Sequence, residues 1–91
     1  MVPSIVRHDV TDYDAWRRVY DEFQGSGVPA ERGVRDHAVY QAVDNPNDVT
    51  VTHDFDDAGT AKEFFASEDL RGALGSAGVQ LDSMVIWFVN L

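Results

Sequence analysis

Three histidines are the side chains best suited to proton chemistry in this 91-residue chain: His8, His37 and His53. A neutral imidazole titrates near physiological pH. One set beside a buried phenol could take its proton and leave a phenolate, which reacts with oxygen or condenses far more readily. All three fall in runs that read as strands, "SIVRHDV", "VRDHAVY" and "VTVTHDF". His8 and Asp9 are adjacent, as are His53 and Asp54, but strand neighbours face opposite ways and do not readily share a metal or a proton. No histidine lies two or four positions from another and the chain has no cysteine, so no metal site is expected. His53 is the first choice as base, because it falls on a strand expected to be central, where a side chain is held rigidly; His8 is second and His37 assists. The competing reading is structural, with each histidine a hydrogen-bonded or half-exposed strand residue.

Aromatic residues could form the surroundings. Tyr13, Trp16, Val19, Tyr20 and Phe23 recur at intervals of three and four, one stripe of an amphipathic helix. Trp16, Tyr20 and Phe23 would face a sheet, where Tyr40 or Trp87 could meet them, and such surroundings suit a flat aromatic ligand. Core packing explains the same stripe. Arg7 is a cation in an otherwise apolar strand and could bind a carboxylate or a developing oxyanion; a surface ion pair is the alternative. The aspartates of "DNPND" (44–48) lack the ligand spacing of a calcium loop, so that stretch reads as a turn.

The elements that would position these residues follow from breakers and caps. Residues 3–10 read as a strand, and Thr11 with Asp14 has capping-box spacing, an Asp standing in for Glu, at the start of the aromatic helix. "QGSGVPAERG" (24–33) reads as a loop. Residues 34–43 and 49–55 read as a hairpin, with Val43 opposite Val49. That register collects Val39, Val43, Val49 and Val51 on one face. It sets His37 and His53 there as diagonal neighbours roughly 7 to 8 Å apart. Asp57 is a candidate N-cap, Phe64 and Phe65 face inward, and Ser67 marks a second cap, giving helix, kink and short helix up to about Gly75–Gly78. "SMVIWFVNL" (83–91) is the last strand.

The order β-α-β-β-α-β is that of an α+β ferredoxin-like sandwich: a four-stranded antiparallel sheet with helices on one face, strands one and three central, and the last strand at an edge. The whole chain, 1–91, reads as a single domain. Met84, Ile86 and Phe88 would lie on one face of the last strand, and Val85, Trp87 and Val89 on the other. Both faces are apolar, and so short a chain covers only one with helices. A second copy, packed sheet to sheet in a homodimer, would cover the other.

Composition narrows the function classes. Sixteen acidic against seven basic residues give a formal charge of -9, which repels phosphate backbones and anionic lipid head groups, so neither nucleic acid nor a membrane surface is expected as partner. "MVPSIVRHDV" has no long apolar core and is expected to be neither a signal peptide nor a membrane span, which with the absence of cysteine favours a cytoplasmic location.

Through "VRHDVTDYDAW", "DNPNDVTVTHDFDD" with its following helix, "SEDLRGALGSAGV" and the apolar last strand, the chain resembles the antibiotic-biosynthesis-monooxygenase-like family of dimeric α+β barrel proteins. The resemblance implies fold and dimerisation. It also implies a small-molecule chemistry drawn from cofactor-free oxygenases that make quinones from polyketide phenols, haem-degrading enzymes, polyketide cyclases and lactone isomerases. Haem-degrading members use a histidine on the second helix and an asparagine on the first strand, whereas "AKEFFASEDLRGAL" and "SIVRHDV" have neither. Plant-type cyclases use a histidine near the last strand, and "SMVIWFVNL" has none. No catalytic position is carried over. The expectation is a cofactor-independent monooxygenase or cyclase acting on a phenolic or polyketide-like molecule, with His53, His8 and His37 in catalysis and Trp16, Tyr20, Tyr40, Trp87 and Arg7 in binding. The alternative is a non-catalytic dimeric domain.

Overall fold

The computed structural model describes residues 1–90, so Leu91, at the end of the expected last strand, lies outside the described residues. The elements are β1 (Val2–Val10), α1 (Tyr13–Gly25), α2 (Val28–Glu31), β2 (Asp36–Ala42), β3 (Asn45–Phe55), α3 (Ala58–Ala66), α4 (Glu68–Ser76) and β4 (Val79–Phe88). The four strands form one sheet in the order β2-β3-β1-β4, with every neighbour antiparallel. This is the expected ferredoxin-like α+β arrangement, with β1 and β3 central.

The pleat of β1 sorts the sheet into two faces. Val2, Ser4, Val6, His8 and Val10 are buried, while Pro3, Ile5, Arg7 and Asp9 between them are partly or fully exposed. Pairing carries this parity outward: Val6 lies opposite Val51 on one side and Ile86 on the other, and Ser4 opposite His53 and Phe88. The helices cover that face. Trp16 and Tyr20 pack with Val10, Val49, Val51 and Ala77 in one cluster; Phe55, Phe64, Ala61, Val34 and Leu70 form a second. Phe55 and Phe64 have lost essentially all solvent contact, and burial of side chains this size contributes about 1.5–3 kcal/mol each.

Local chemistry differs from the expected pattern at four places. Asp12, not Thr11, caps α1: its side chain accepts from the Asp14 N–H at 3.1 Å, while the Thr11 N–H is turned to the Gly78 carbonyl at 3.2 Å and joins the start of α1 to the α4–β4 turn. The stretch 24–33 is not wholly loop, because Val28–Glu31 forms one helical turn after Gly27, which adopts a left-handed φ of 85°. The last strand begins at Val79 rather than near residue 83. Its ladder with β1 is interrupted, since Arg7 pairs with Val85 but Asp9 pairs with Gln80, which leaves His8 facing an irregular stretch of β4.

The fourth difference is the hairpin register. Gln41, not Val43, lies opposite Val49, and His37 is directly across from His53 rather than diagonal to it. A slide of two residues keeps every side chain on its expected face, so the valine pattern cannot detect it. Turn chemistry decides. Val43 and Asp44 make the two-residue loop, and Ala42 pairs with Asn45. Pro46, which lacks an N–H, falls in the irregular stretch that follows. Asn47 in that stretch accepts the Tyr13 N–H at 3.0 Å, so the irregularity also caps the start of α1.

Asp57 caps α3 by accepting the Thr60 N–H at 2.8 Å, and Ser67 divides α3 from α4, donating to the Phe64 carbonyl at 2.7 Å and accepting the Leu70 N–H at 3.3 Å. Two glycines make opposite demands. Gly33 has a φ of 99°, and a Cβ there would sit 2.5 Å from Thr60 Cγ2, whereas Gly72 lies in α4 with open space around it. Gly72→Ala is expected to stabilise the fold by about 0.5–1 kcal/mol, and Gly33→Ala to destabilise it by more than that. Thermal melts read both as opposite displacements, about 4–8 °C per kcal/mol for a domain of this size. Two shifts of the same sign would contradict the assigned backbone.

Candidate functional site

The inner face of α1 lies over the helix-covered side of β1 and β3, and rings line up between them. Trp16 stacks on Tyr20 with centroids 5.0 Å apart. At one end Trp16 meets the His8 ring at 5.7 Å; at the other Tyr20 lies 6.5 Å from His53 and 5.7 Å from His37. His8 and His53 are only 3% and 5% exposed. Both line a cavity of about 50 Å³ together with Val6, Val51, Trp16, Tyr20 and Gln24, with Phe65 and, around α4, Leu70, Ala73, Leu74 and Ala77 also in its wall.

Polar groups in this cavity are few, and several have no partner. The Tyr20 hydroxyl is 2.7 Å from His37 Nδ1 and donates to it when His37 carries its proton on Nε2. Burial pushes the Tyr20 phenol up to about 12, so it keeps its proton throughout the neutral range. The Gln24 carboxamide lies 3.2 Å from His53 Nε2. If it donates its N–H, His53 holds its proton on Nδ1; if the carboxamide turns over, its oxygen accepts an Nε2–H and leaves Nδ1 as a free base. Among the described residues, His53 Nδ1 and both ring nitrogens of His8 have no hydrogen-bond partner. A buried polar atom left unpaired costs about 1–3 kcal/mol, so these three nitrogens are the ones beside the cavity that a water or a ligand atom could satisfy. Burial also lowers both imidazoles, His53 to about 4 with further depression from nearby His37, and His8 through desolvation despite Asp9 and Asp48.

The residues expected in the site divide between the two faces of the sheet. His8, His53, Trp16 and Tyr20 meet in the cavity, and His37 joins through Tyr20. Tyr40, Trp87 and Arg7 lie on the opposite face and do not reach the cavity. Tyr40 is 60% exposed and Trp87 47% exposed. Arg7 makes a two-pronged ion pair with Asp48, Nε to Oδ1 at 2.9 Å and Nη2 to Oδ2 at 2.5 Å. The reason is the pleat: Arg7 adjoins His8 and Tyr40 adjoins Val39, so neither can share its neighbour's face. Gln24, Phe65 and Met84 belong to the cavity and were absent from the expected set. Gln24 was detectable, since it continues the Trp16–Tyr20 spacing by one further step of four. Among the described residues no cluster of histidine, aspartate and glutamate could hold a metal ion, and no helix is long and apolar enough to cross a membrane.

The buried imidazoles tie stability to pH. His53 binds its proton less tightly folded, near 4, than unfolded, near 6.5, so the unfolded chain takes up more protons between those values. Stability is therefore full above about pH 6.5 and falls as pH drops toward 4, by up to ~3 kcal/mol from His53, with His8 adding in the same direction. Melting temperature is expected to fall by on the order of 10 °C between pH 7.5 and 4.5, and less steeply in His53→Gln. Equal slopes in the two proteins would remove His53 from this coupling.

No family model matches the chain. No curated protein matches it in sequence. Solved structures do match. SnoaB, a cofactor-independent oxygenase from Streptomyces nogalater, superposes with a TM-score of 0.78 at 12% identity, over 99% of this chain and 91% of that one. An antibiotic biosynthesis monooxygenase gives 0.77 at 13% identity, over 100% and 98%. A conserved protein from Methanosarcina mazei Go1 gives 0.75 at 16% identity, over 98% and 90%. At these identities the likeness is one of architecture, and the chain has the antibiotic-biosynthesis-monooxygenase-like fold that its sequence resembles.

Proposed function

We propose that the chain is a cofactor-independent enzyme of monooxygenase or cyclase type, acting on a phenolic or polyketide-like small molecule held between α1, α4 and the sheet. One observation carries this reading: two buried histidines, with three ring nitrogens that have no hydrogen-bond partner among the described residues, line a single apolar, aromatic-walled cavity. In the mechanism, His53 Nδ1 takes a proton from the ligand while Gln24, turned to accept, holds the Nε2–H. Desolvation makes His53 a weak base on its own. Proton transfer creates a phenolate and an imidazolium side by side in a low-dielectric site, where their attraction offsets much of that weakness. The electron-rich anion then condenses internally or meets dioxygen, with no flavin or metal required. SnoaB, of the same fold, is a cofactor-independent oxygenase.

The competing reading, a non-catalytic domain, is favoured by the size of the cavity. About 50 Å³ is a third of the ~150 Å³ that accommodates benzene. A phenolic ligand therefore enters only as a helix moves outward. The short helix α4 is the wall best suited to move, because Gly72 and Gly75 each weaken it by about 1 kcal/mol relative to alanine.

The proposed assembly is a homodimer packed through the open sheet face, where Tyr40, Val85, Trp87 and Val89 are exposed beside partly buried Ile5. Sedimentation is expected to give twice the 10.1 kDa chain mass, and Trp87→Glu to shift the protein toward monomer. A stable wild-type monomer at micromolar concentration would overturn the dimer.

The activity test is turnover of an anthrone-type phenol in air without added flavin or metal. His53→Ala is expected to lower the rate about 10²–10⁴-fold, the usual loss on removing a general base. Unchanged turnover in a variant that melts normally would take His53 out of the mechanism. Failure of the unaltered protein to turn over any such phenol would favour the non-catalytic reading.

A further inference from the structure

Between α1 and α4 the cavity and an open surface groove share part of their lining. Val19, Phe23 and Ala73 line the cavity on one side and an open surface groove on the other, so one layer of side chains separates the buried histidines from solvent. The groove is rimmed by Glu22, Glu68 and Asp69. Arg32 pairs with Asp69 at 2.8 Å, and among the described residues Glu22 and Glu68 have no cationic partner. Behind the wall no lysine or arginine among the described residues lines the cavity, and Arg7, the cation expected to hold a carboxylate, points away on the other face of the sheet.

From this arrangement we infer that the site is reached between α1 and α4 and takes uncharged aromatic ligands, excluding those that carry a carboxylate or phosphate. The inference rests on the reading of the cavity as a ligand site and sets its charge. An anion meets two obstacles in series. The carboxylate rim and the net charge of -9 repel it on approach. Inside, it would lie desolvated with no lysine or arginine among the described residues to pair with, which disfavours its binding. A histidine could pair with it only by taking up a further proton from solvent, which burial opposes, whereas a phenol brings the proton that His53 receives. A neutral phenol meets neither obstacle, and its hydroxyl can satisfy an unpartnered imidazole nitrogen of either kind, donor or acceptor. A hydroxylated aromatic acid would thus have to be made neutral before it could bind, so the reaction class that supplies such a ligand is one that removes or masks a carboxylate.

The test compares 2-naphthol with 6-hydroxy-2-naphthoate, the same bicyclic phenol with and without a carboxylate, by titration calorimetry on the full chain at pH 7. 2-Naphthol is expected to bind at least a hundredfold more tightly. In the double variant Glu22→Gln/Glu68→Gln the naphthoate is expected to gain several-fold in affinity while 2-naphthol is unchanged. Equal affinities, or tighter binding of the naphthoate, would overturn the charge selection and leave the ligand site intact. An unaltered ratio in the double variant would overturn access past the acidic rim. Binding of neither compound would overturn the ligand site itself, and the charge selection with it.

Discussion

The site depends on the pairing of β1 with β3. These are the two central strands, and their register, with Val6 opposite Val51 and Ser4 opposite His53, fixes which side chains can be inside. Because successive residues alternate between faces, the placement of His8 under the helices and of Arg7 outside them is one decision made twice. The same alternation carries through β3 to His53 and Phe55, and through β4 to Ile86 and Phe88. A one-residue slip of β3 against β1 would turn His53 and Phe55 to the open face and bring the charged and hydroxylated side chains of β3 under α1.

That decision has an energetic consequence. A sheet that buries valine and phenylalanine for stability also buries two imidazoles that are poorly satisfied there. Packing against Trp16 and Phe64 gives them close ring neighbours at 5.7 and 5.5 Å, which contributes dispersion but satisfies none of the unpartnered nitrogens. Valine or leucine at these positions would make a more stable core. Under the function proposed above, imidazoles at these positions serve binding or proton transfer, in the way functional sites generally depart from what packing alone favours.

Much of this was legible in the sequence. The stripe of Trp16, Tyr20 and Phe23 gave the inner face of α1, the valines of 39–51 gave the shared face of His37 and His53, and Asp57 and Ser67 gave the division of the second helical segment. What was not legible has physical reasons. A slide of two residues in the hairpin preserves every face, so only the competition between Val43-Asp44 and "DNPND" for the turn could settle the register. Asp12 rather than Thr11 caps α1, and Thr11 instead ties the start of the helix to Gly78, a contact 67 positions away that no local pattern encodes. Tyr40 and Trp87 were drawn toward the site by chemical type, although the parity of their own neighbours already placed them outside. Cavity volume depends on how Phe65, Leu74 and Met84 interdigitate, which spacing alone does not give.

The interruption in β4 also governs how the molecule can grow. β4 is an edge strand, with one side of its backbone unpaired, and a straight apolar edge is a template for adding strands from other copies. Opposite His8 the ladder skips from Val85 to Gln80, and Ser83 turns back on itself, donating to the Gln80 carbonyl at 2.5 Å while accepting the Asp9 N–H at 2.9 Å. The Gln80 carbonyl is occupied inside the chain there, and the irregular register interrupts the regular ladder that a docking strand would extend. The sheet is left with a broad sticky face and a blunted margin. It can close against one partner, but that margin is poorly suited to elongation into a fibre.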